Sequence, residues 1–525
     1  MRPKDQANVR AEVTHRLIER ISTSTERDHV LHVIQDTLYH ERLRLEKRPQ
    51  SSRNEEQRFW STVSQQILDA TPTRQNALLR SIIEGFLDEI VGHFDPQMYK
   101  LATRMAPTAM AGLLNSLDWK RIASNPREAL DLRQNLLVKG EVETVRKLAE
   151  EGTLVVVPTH VSNLDSIVLG YAAHLMNLPA LTYGAGLNLF SHRILGFFMN
   201  RLGAYKVDRL KTASLYKDTL KEFATRSIEL SYHNLFFPGG TRIRSGRVER
   251  KLKLGLLGTA LQAYMNNLRA GSPRPNVFVV PCTISYGLVL EAETLIEDHL
   301  KDTGKSRYII SDDEFSKPRK VAHFLRSLVQ MESPIYITFG SPMDPFGNRV
   351  DFQGRSRDRR DREIDIRGYV CRNDDVVNDP QRDREFTKGL AESVIQEFSR
   401  CNRVQSTNVV AYAFFKLMRQ HNPGVDVYRL LRIAQDQPGY PRTDVLHALD
   451  EVLQELRELA RSDRIRLAPD LEIGDASTTL QQALTVFGEY HHHKPIRARN
   501  DRVRTEHPQL VYYYQNRLDG YGLVP

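Results

Sequence analysis

Hydrophobic and polar positions along the chain fall into distinct regimes. Over residues 1–50, apolar residues recur at helical intervals: Leu17, Ile18 and Ile21, then Val30, Leu31, Val33, Ile34 and Leu38. Pro49 to Asn54 reads as a linker. Breaks at Pro72, Asp95-Pro96, Pro107 and Asn125-Pro126 then divide residues 55–150 into further helices, the last over about 139–150. From 153 to about 345, short apolar runs alternate with helical segments. The runs are Leu154–Val157, Ala180–Tyr183, Ala204–Val207, Asn234–Phe237, Val277–Val280 and Ile335–Phe339. Such alternation predicts an α/β sheet with helices packed on it. Pro281 is expected to break the fifth run before a second short strand. Residues 346–385 mix both signs of charge with few apolar positions, and read as an exposed, charged insertion or linker. Helical periodicity returns from 386, most clearly over Thr443–Ala460, where Val445, Leu449, Val452, Leu456 and Leu459 share one side. The expected organisation is therefore a helical N-terminal domain (1–150), an α/β catalytic domain (151–345), the charged segment (346–385) and a mainly helical C-terminal region (386–525).

One junction inside the α/β region has the makings of a site. Thr153-Leu-Val-Val-Val-Pro158 is a β-branched apolar run, and Ser162 and Asn163 suit the start of the helix that follows. His160 thus falls at a strand end and Asp165 in the first helical turn, where ligands bind in α/β sheets. A histidine can take a proton from a hydroxyl, and a carboxylate across a tight turn can fix its tautomer. A second pair with the same spacing, His421 and Asp426, flanks Asn422-Pro423-Gly424 with no strand before it, and reads as structural.

Composition adds a partner class. The chain has 525 residues and a formal net charge of +9. That balance fits an anionic partner: nucleic acid, a phosphorylated substrate or a membrane headgroup surface. The arginines of Arg355-Ser-Arg-Asp-Arg-Arg-Asp-Arg-Glu are interleaved with acids that would repel phosphates, so nucleic acid is not the expected partner. The basic run Arg42–Arg48 reads as a solvated helix face. Cys282, Cys371 and Cys401 lie far apart and suggest neither a disulfide framework nor a metal site. His491-His-His493 reads as solvated, so no metal is expected. With no apolar leader at the N-terminus and no long apolar run, the expected location is cytoplasmic, with peripheral contact to anionic membranes.

Two further blocks sharpen this. Leu235-Phe-Phe-Pro-Gly-Gly-Thr-Arg242-Ile-Arg244-Ser-Gly-Arg247 runs an apolar strand into two glycines, a hydroxyl and alternating guanidiniums. Glycines let backbone N–H groups approach an anion, and arginine forks bind phosphate bidentately. No Gly-Lys-Ser/Thr follows, which disfavours a nucleotide-hydrolysing loop. Gly203-Ala-Tyr-Lys-Val-Asp-Arg209 places cations at the end of another short strand.

In this order the blocks resemble the glycerolipid acyltransferase superfamily. His160 and Asp165 match its His-x4-Asp motif, Gly203 to Arg209 its second block, Phe237 to Gly246 its third and Val280 to Tyr286 its fourth. Ala185-Gly-Leu-Asn-Leu, Tyr336-Ile-Thr-Phe-Gly-Ser-Pro and Tyr512-Tyr-Tyr-Gln-Asn-Arg-Leu look most like the glycerol-3-phosphate acyltransferase branch. The resemblance implies a mixed sheet flanked by helices. It also implies acyl transfer from acyl-CoA or acyl carrier protein to glycerol 3-phosphate, with no further cofactor. His160 would be the base and Asp165 its orienter. Arg209, Arg242 and Arg244 would hold the phosphate, with Gly240 and Thr241 shaping the backbone around it. Acylation of lysophosphatidate is the alternative, and a non-catalytic lipid- or acyl-carrier-binding protein the further one. One departure stands out: the glutamate usual in the third block is replaced by Gly239.

Overall fold

Four of the predicted apolar runs become neighbouring parallel strands whose carboxyl ends meet at one place. The computed structural model describes every residue except 2, 25–27, 48–53, 96, 98–135, 188–202, 304–333, 489–490, 492 and 524–525. The predicted breaks at Pro107 and Asn125-Pro126, and part of the stretch from Ala185 to Leu202, lie outside the described residues. The central sheet comprises β1 (Leu136–Gly140), β2 (Thr153–Pro158), β3 (Thr182–Gly186), β4 (Ala204–Val207), β5 (Asn234–Leu235), β6 (Val277–Tyr286) and β7 (Ile335–Phe339). Their spatial order is β1-β7-β6-β2-β5-β3-β4. Only β6 and β7 run antiparallel; the other neighbours are parallel. The fold is α/β, a mixed sheet flanked by helices with helical regions before and after it.

β2 shows why these residues make a central strand. Every residue of it is buried, with Leu154 and Val156 in one hydrophobic cluster and Val155 and Val157 in another. Side chains alternate between faces, so a β-branched run serves a sheet covered on both sides. β6 repeats the pattern, with Phe278, Val280, Cys282 and Ile284 on one face and Val277 and Val279 on the other. Contrary to the sequence reading, β6 continues through Pro281. Its register with β2 ends at Cys282, where its antiparallel register with β7 begins. The missing N–H therefore falls where the strand changes partners, and the Pro281 carbonyl accepts the Gly340 N–H at 2.8 Å.

The sheet starts earlier than the sequence suggested. β1 lies within the stretch assigned to the helical N-terminal region, and pairs with β7 over five residues. Among the described residues, four helices precede it: α1 (Pro3–Ser22), α2 (His29–Glu46), α3 (Asn54–Gln66) and α4 (Pro72–Ile90). Their core is shared with Tyr205 of β4 and with Leu215, Tyr216, Leu220 and Phe223 of the helix Ser214–Glu229. Buried Lys211 joins the two parts, with Nζ 2.7 Å from Glu89 and 4.6 Å from the Phe86 ring centre.

The charged segment is structured by its own charges. It forms short antiparallel pairs, 349–350 with 356–357 and 356–357 with 363–364. Asp351 holds Arg357 at 2.6 Å and Asp358 holds Arg362 at 2.7 Å. The C-terminal helices, including Ser406–Gln420, Arg442–Arg461 and Pro508–Gln515, join the same hydrophobic cluster as one face of the sheet. His491 departs from the solvated reading. It is buried, its Nε2 is 2.9 Å from the Tyr514 hydroxyl, and burial pushes its pKa down to about 3.

Candidate active site

β2 ends at Pro158, and the chain turns through Thr159 to Ser162 before the helix Asp165–Leu175 begins. Asp165 is buried at the start of that helix and organises the turn. Its Oδ2 accepts the backbone N–H groups of Val161 at 2.6 Å and Ser162 at 2.9 Å, and lies 2.8 Å from His160 Nδ1. Its Oδ1 accepts the Tyr286 hydroxyl at 2.7 Å. A buried carboxylate with four donors is fully satisfied. Since Asp165 is a pure acceptor, His160 carries its proton on Nδ1, and Nε2 is left as a proton acceptor.

The block that follows β5 clamps His160. The Ile243 N–H donates to the His160 carbonyl at 2.8 Å, and the buried Glu249 carboxyl group packs against Gly239 of the same block. The imidazole stacks on Phe237 with ring centres 4.1 Å apart. The imidazole lines a cavity of about 410 Å³ formed at the ends of β2, β3, β4 and β5. Phe236, Phe237, Val207, Leu220 and Leu256 give it apolar walls, and Arg209, Lys217, Lys221, Arg242 and Lys253 give it positive charge.

Two of those cations oppose each other. Desolvation, and then the charge of Arg242, push the pKa of Arg209 down. Like charges facing one space are relieved by an anion between them. Arg242 reaches back to Glu291, 3.3 Å from Oε1. Glu291 is fully buried and also accepts the Ser162 hydroxyl at 2.9 Å and the Asn163 N–H at 2.8 Å. Its burial raises its pKa, against the pull of Arg242 and these donors. Arg242 is thereby tied to the turn that carries His160.

Of the residues expected from sequence, His160, Arg209, Gly240 and Arg242 line the cavity, and Asp165 supports it from behind. Gly240 has φ +78°, and a Cβ there would lie 2.8 Å from Lys253 Nζ. Thr241 is exposed and Arg244 pairs with Asp302, and neither lines the cavity. The residues that sequence reasoning missed are Glu249, Glu291, Tyr286 and the three lysines. Tyr286 closed the fourth block, so its place was visible but not its role. Lys217 and Lys221 sit one turn apart on Ser214–Glu229, a spacing that does put two side chains on one face. His421 and Asp426 do not pair: His421 Nδ1 bonds the Leu417 carbonyl at 3.0 Å, and Asp426 caps the helix Val427–Asp436. Among the described residues, no group of three or more His, Cys, Asp or Glu side chains is placed to hold a metal ion.

The loop is closed from behind by the C-terminal region. Asn516 Nδ2 donates to the Ser245 carbonyl at 2.8 Å. Gly246, at φ +79°, lies so close to the Tyr513 carbonyl that any Cβ would collide with it. The whole arrangement can take a proton from a hydroxyl held beside two guanidiniums, with apolar surface at hand for a hydrocarbon.

Comparison with known proteins agrees with that chemistry. The profile of the family described as Acyltransferase matches residues 139–285. The chain is 27% identical over 282 residues to proteins named "Glycerol-3-phosphate acyltransferase" from Pseudomonas paraeruginosa (strain DSM 24068 / PA7) and Pseudomonas aeruginosa (strains LESB58 and UCBPP-PA14). The match covers 53% of this chain and 30% of each relative, so the chain accounts for under a third of the relatives' length.

Proposed function

We propose that this member of the glycerolipid acyltransferase superfamily transfers an acyl group from an acyl-CoA or acyl carrier protein thioester to glycerol 3-phosphate. His160 Nε2 takes the proton of the acceptor hydroxyl as its oxygen attacks the thioester carbonyl. Asp165 holds the ring and stabilises the imidazolium. The tetrahedral intermediate collapses to the ester and expels a thiolate, which takes the proton back from His160. No metal or bound cofactor enters these steps. Arg209 and Arg242 hold the phosphate, joined by Lys253 beside Gly240. The observation that carries the reading is the shared cavity: His160 and the opposed pair Arg209 and Arg242 line the same 410 Å³ space.

Lysophosphatidate is the alternative acceptor, because Phe236, Phe237, Leu220 and Leu256 offer apolar surface that its chain could use. Offering each acceptor to the purified protein with one acyl donor, and comparing kcat/KM, decides between them. A higher value for glycerol 3-phosphate is expected. A higher value for the lysolipid would reassign the acceptor and leave the base in place. Turnover of neither, with both donor types tried, would leave a lipid- or acyl-carrier-binding protein.

No described helix is long and apolar enough to cross a membrane. With a net charge of +9, we place the protein at the cytoplasmic surface of anionic membranes, held by charge. Binding to vesicles containing anionic lipid should fall steeply as salt rises.

A further inference from the structure

The turn between β2 and the helix Asp165–Leu175 is held by side chains. The four successive backbone N–H groups from Val161 to Leu164 all donate to side-chain oxygens. Val161 and Ser162 donate to Asp165, Asn163 to Glu291 Oε1 at 2.8 Å, and Leu164 to the Ser162 hydroxyl at 3.3 Å. That hydroxyl in turn donates to Glu291 Oε2 at 2.9 Å. Two buried carboxylates, Asp165 and Glu291, therefore set the turn, and each has a second contact. Asp165 faces the His160 ring, and Glu291 faces Arg242, whose Nη1 lies 3.3 Å from Oε1.

Glu291 is rigidly presented. It is fully buried and directly precedes the helix Ala292–Thr303. Its carbonyl accepts the Leu295 N–H at 2.9 Å and the Thr294 hydroxyl at 3.0 Å, while Leu290, Ala292 and Leu295 sit in the hydrophobic core. Its carboxylate acts on Arg242 in two ways. A long side chain ordered before its ligand arrives loses less rotamer freedom on binding, which favours an anion in the cavity. A negative charge beside the guanidinium opposes that anion. The two effects have opposite signs, so substitutions separate them.

We propose that Glu291 is a positioning residue for phosphate binding, ordering Arg242 in advance and fixing its guanidinium to the turn that carries His160. It touches no reacting atom and acts through Arg242 and Asn163. This deepens the acyltransferase reading and rests on it for the phosphate being that of the acceptor.

Inorganic phosphate titrated calorimetrically into the full chain tests the proposal without turnover. Glu291→Ala frees Arg242 and should weaken phosphate binding roughly 3- to 10-fold, about what ordering one long side chain is worth. Glu291→Gln keeps an oxygen for Asn163 and Arg242 but removes the charge, and should bind phosphate at least as tightly as the parent. Tighter binding in Glu291→Ala overturns the proposal, since the carboxylate would then act only as a competing anion. Equal weakening in both variants overturns it too, since the hydrogen-bonding frame would not be what matters. The double variant Arg242→Ala/Glu291→Ala should match Arg242→Ala within twofold, because Glu291 has nothing left to order. Losses that multiply would show that Glu291 acts elsewhere, and also overturn the proposal. Should Glu291→Ala not fold, Glu291→Asp, one methylene shorter, carries the same comparisons with the same outcomes. In initial-rate kinetics the acceptor KM should follow the phosphate affinities while the donor KM stays constant; a donor KM that moves equally counts against the proposal. If the parent turns over no acyl donor, the acyltransferase reading fails, while phosphate affinity still reports on Glu291.

Discussion

Tyr286 donates its hydroxyl to Asp165 Oδ1 at 2.7 Å, the one carboxylate oxygen that His160 leaves free. The contact joins the middle of the sheet to the turn that carries His160, because Tyr286 ends β6 while Asp165 begins a helix. Removing the hydroxyl strips a buried carboxylate of a donor, which typically costs about 1–3 kcal/mol. Tyr286→Phe should lower stability by that much in urea unfolding and reduce kcat, with KM unchanged. A variant as stable as the parent would show that Asp165 does not depend on this bond.

His160→Ala should remove turnover by roughly 10² to 10⁴, the usual cost of losing a general base. His421→Ala should leave it unaltered, because the His421 ring bonds the helix carbonyl of Leu417 and not Asp426. Asp165→Asn should also be severely impaired, since an amide in that position cannot accept from all four donors at once. Equal losses at His160 and His421 would remove His160 from its proposed role.

Sequence and structure part company over the two arginines that alternate after Gly240. Arg242 lines the cavity, whereas Arg244 pairs with Asp302. Arg209→Ala and Arg242→Ala should each raise the acceptor KM tenfold or more, through loss of a charge-assisted contact. Arg244→Ala should raise it far less. Initial-rate kinetics with glycerol 3-phosphate varied at fixed donor measures this. A larger effect at Arg244 would mean that its pairing with Asp302 is exchanged for substrate.

The buried carboxyl group of Glu249 makes a pH prediction. Its pKa is pushed up to about 8, first by desolvation and then by the charge of Asp165, against the opposing pull of Arg517. A carboxyl group titrates higher in the folded state than in the unfolded chain when burial disfavours its charge. Its contribution to stability is then complete below about pH 4.5, its ordinary value, and is lost as pH rises through 8. Glu249→Gln cannot ionise. Relative to the parent, its Tm should therefore rise between pH 5 and pH 9, by an amount on the order of a few kcal/mol in stability. A Tm difference independent of pH would mean that Glu249 titrates in its ordinary range.

How far the site was legible follows from what each residue depends on. His160, Asp165, Arg209, Gly240 and Arg242 were readable because each follows directly from a strand end, where position along the chain and position in space coincide. The apolar runs were readable because a strand buried on two faces must be apolar throughout, as β2 is. Glu249 and Glu291 were not. Each reaches the site by a return of the chain, and neither spacing nor periodicity encodes where a returning loop will pass. β1 was hidden for a related reason. Leu136-Leu-Val-Lys-Gly140 is only partly buried and, among the described residues, pairs on one side only, so its composition is not that of a central strand. The charged segment 346–385 is largely exposed, but its alternating signs pair with each other across short hairpins, which composition does not encode.

The contact between Asn516 and Ser245 sets an order of events during synthesis. A ribosome releases the strand-and-turn half of the site first, with His160 and Arg242 already in sequence. The residues that back the Gly246 loop, Tyr513 and Asn516, emerge some 270 positions later. Until then the loop has no surface behind it, and the apolar face of the sheet that the C-terminal helices cover stands open. While those positions are being made, a nascent chain of this protein therefore carries an unfinished pocket and an uncovered core, the condition under which chains recruit chaperones or aggregate.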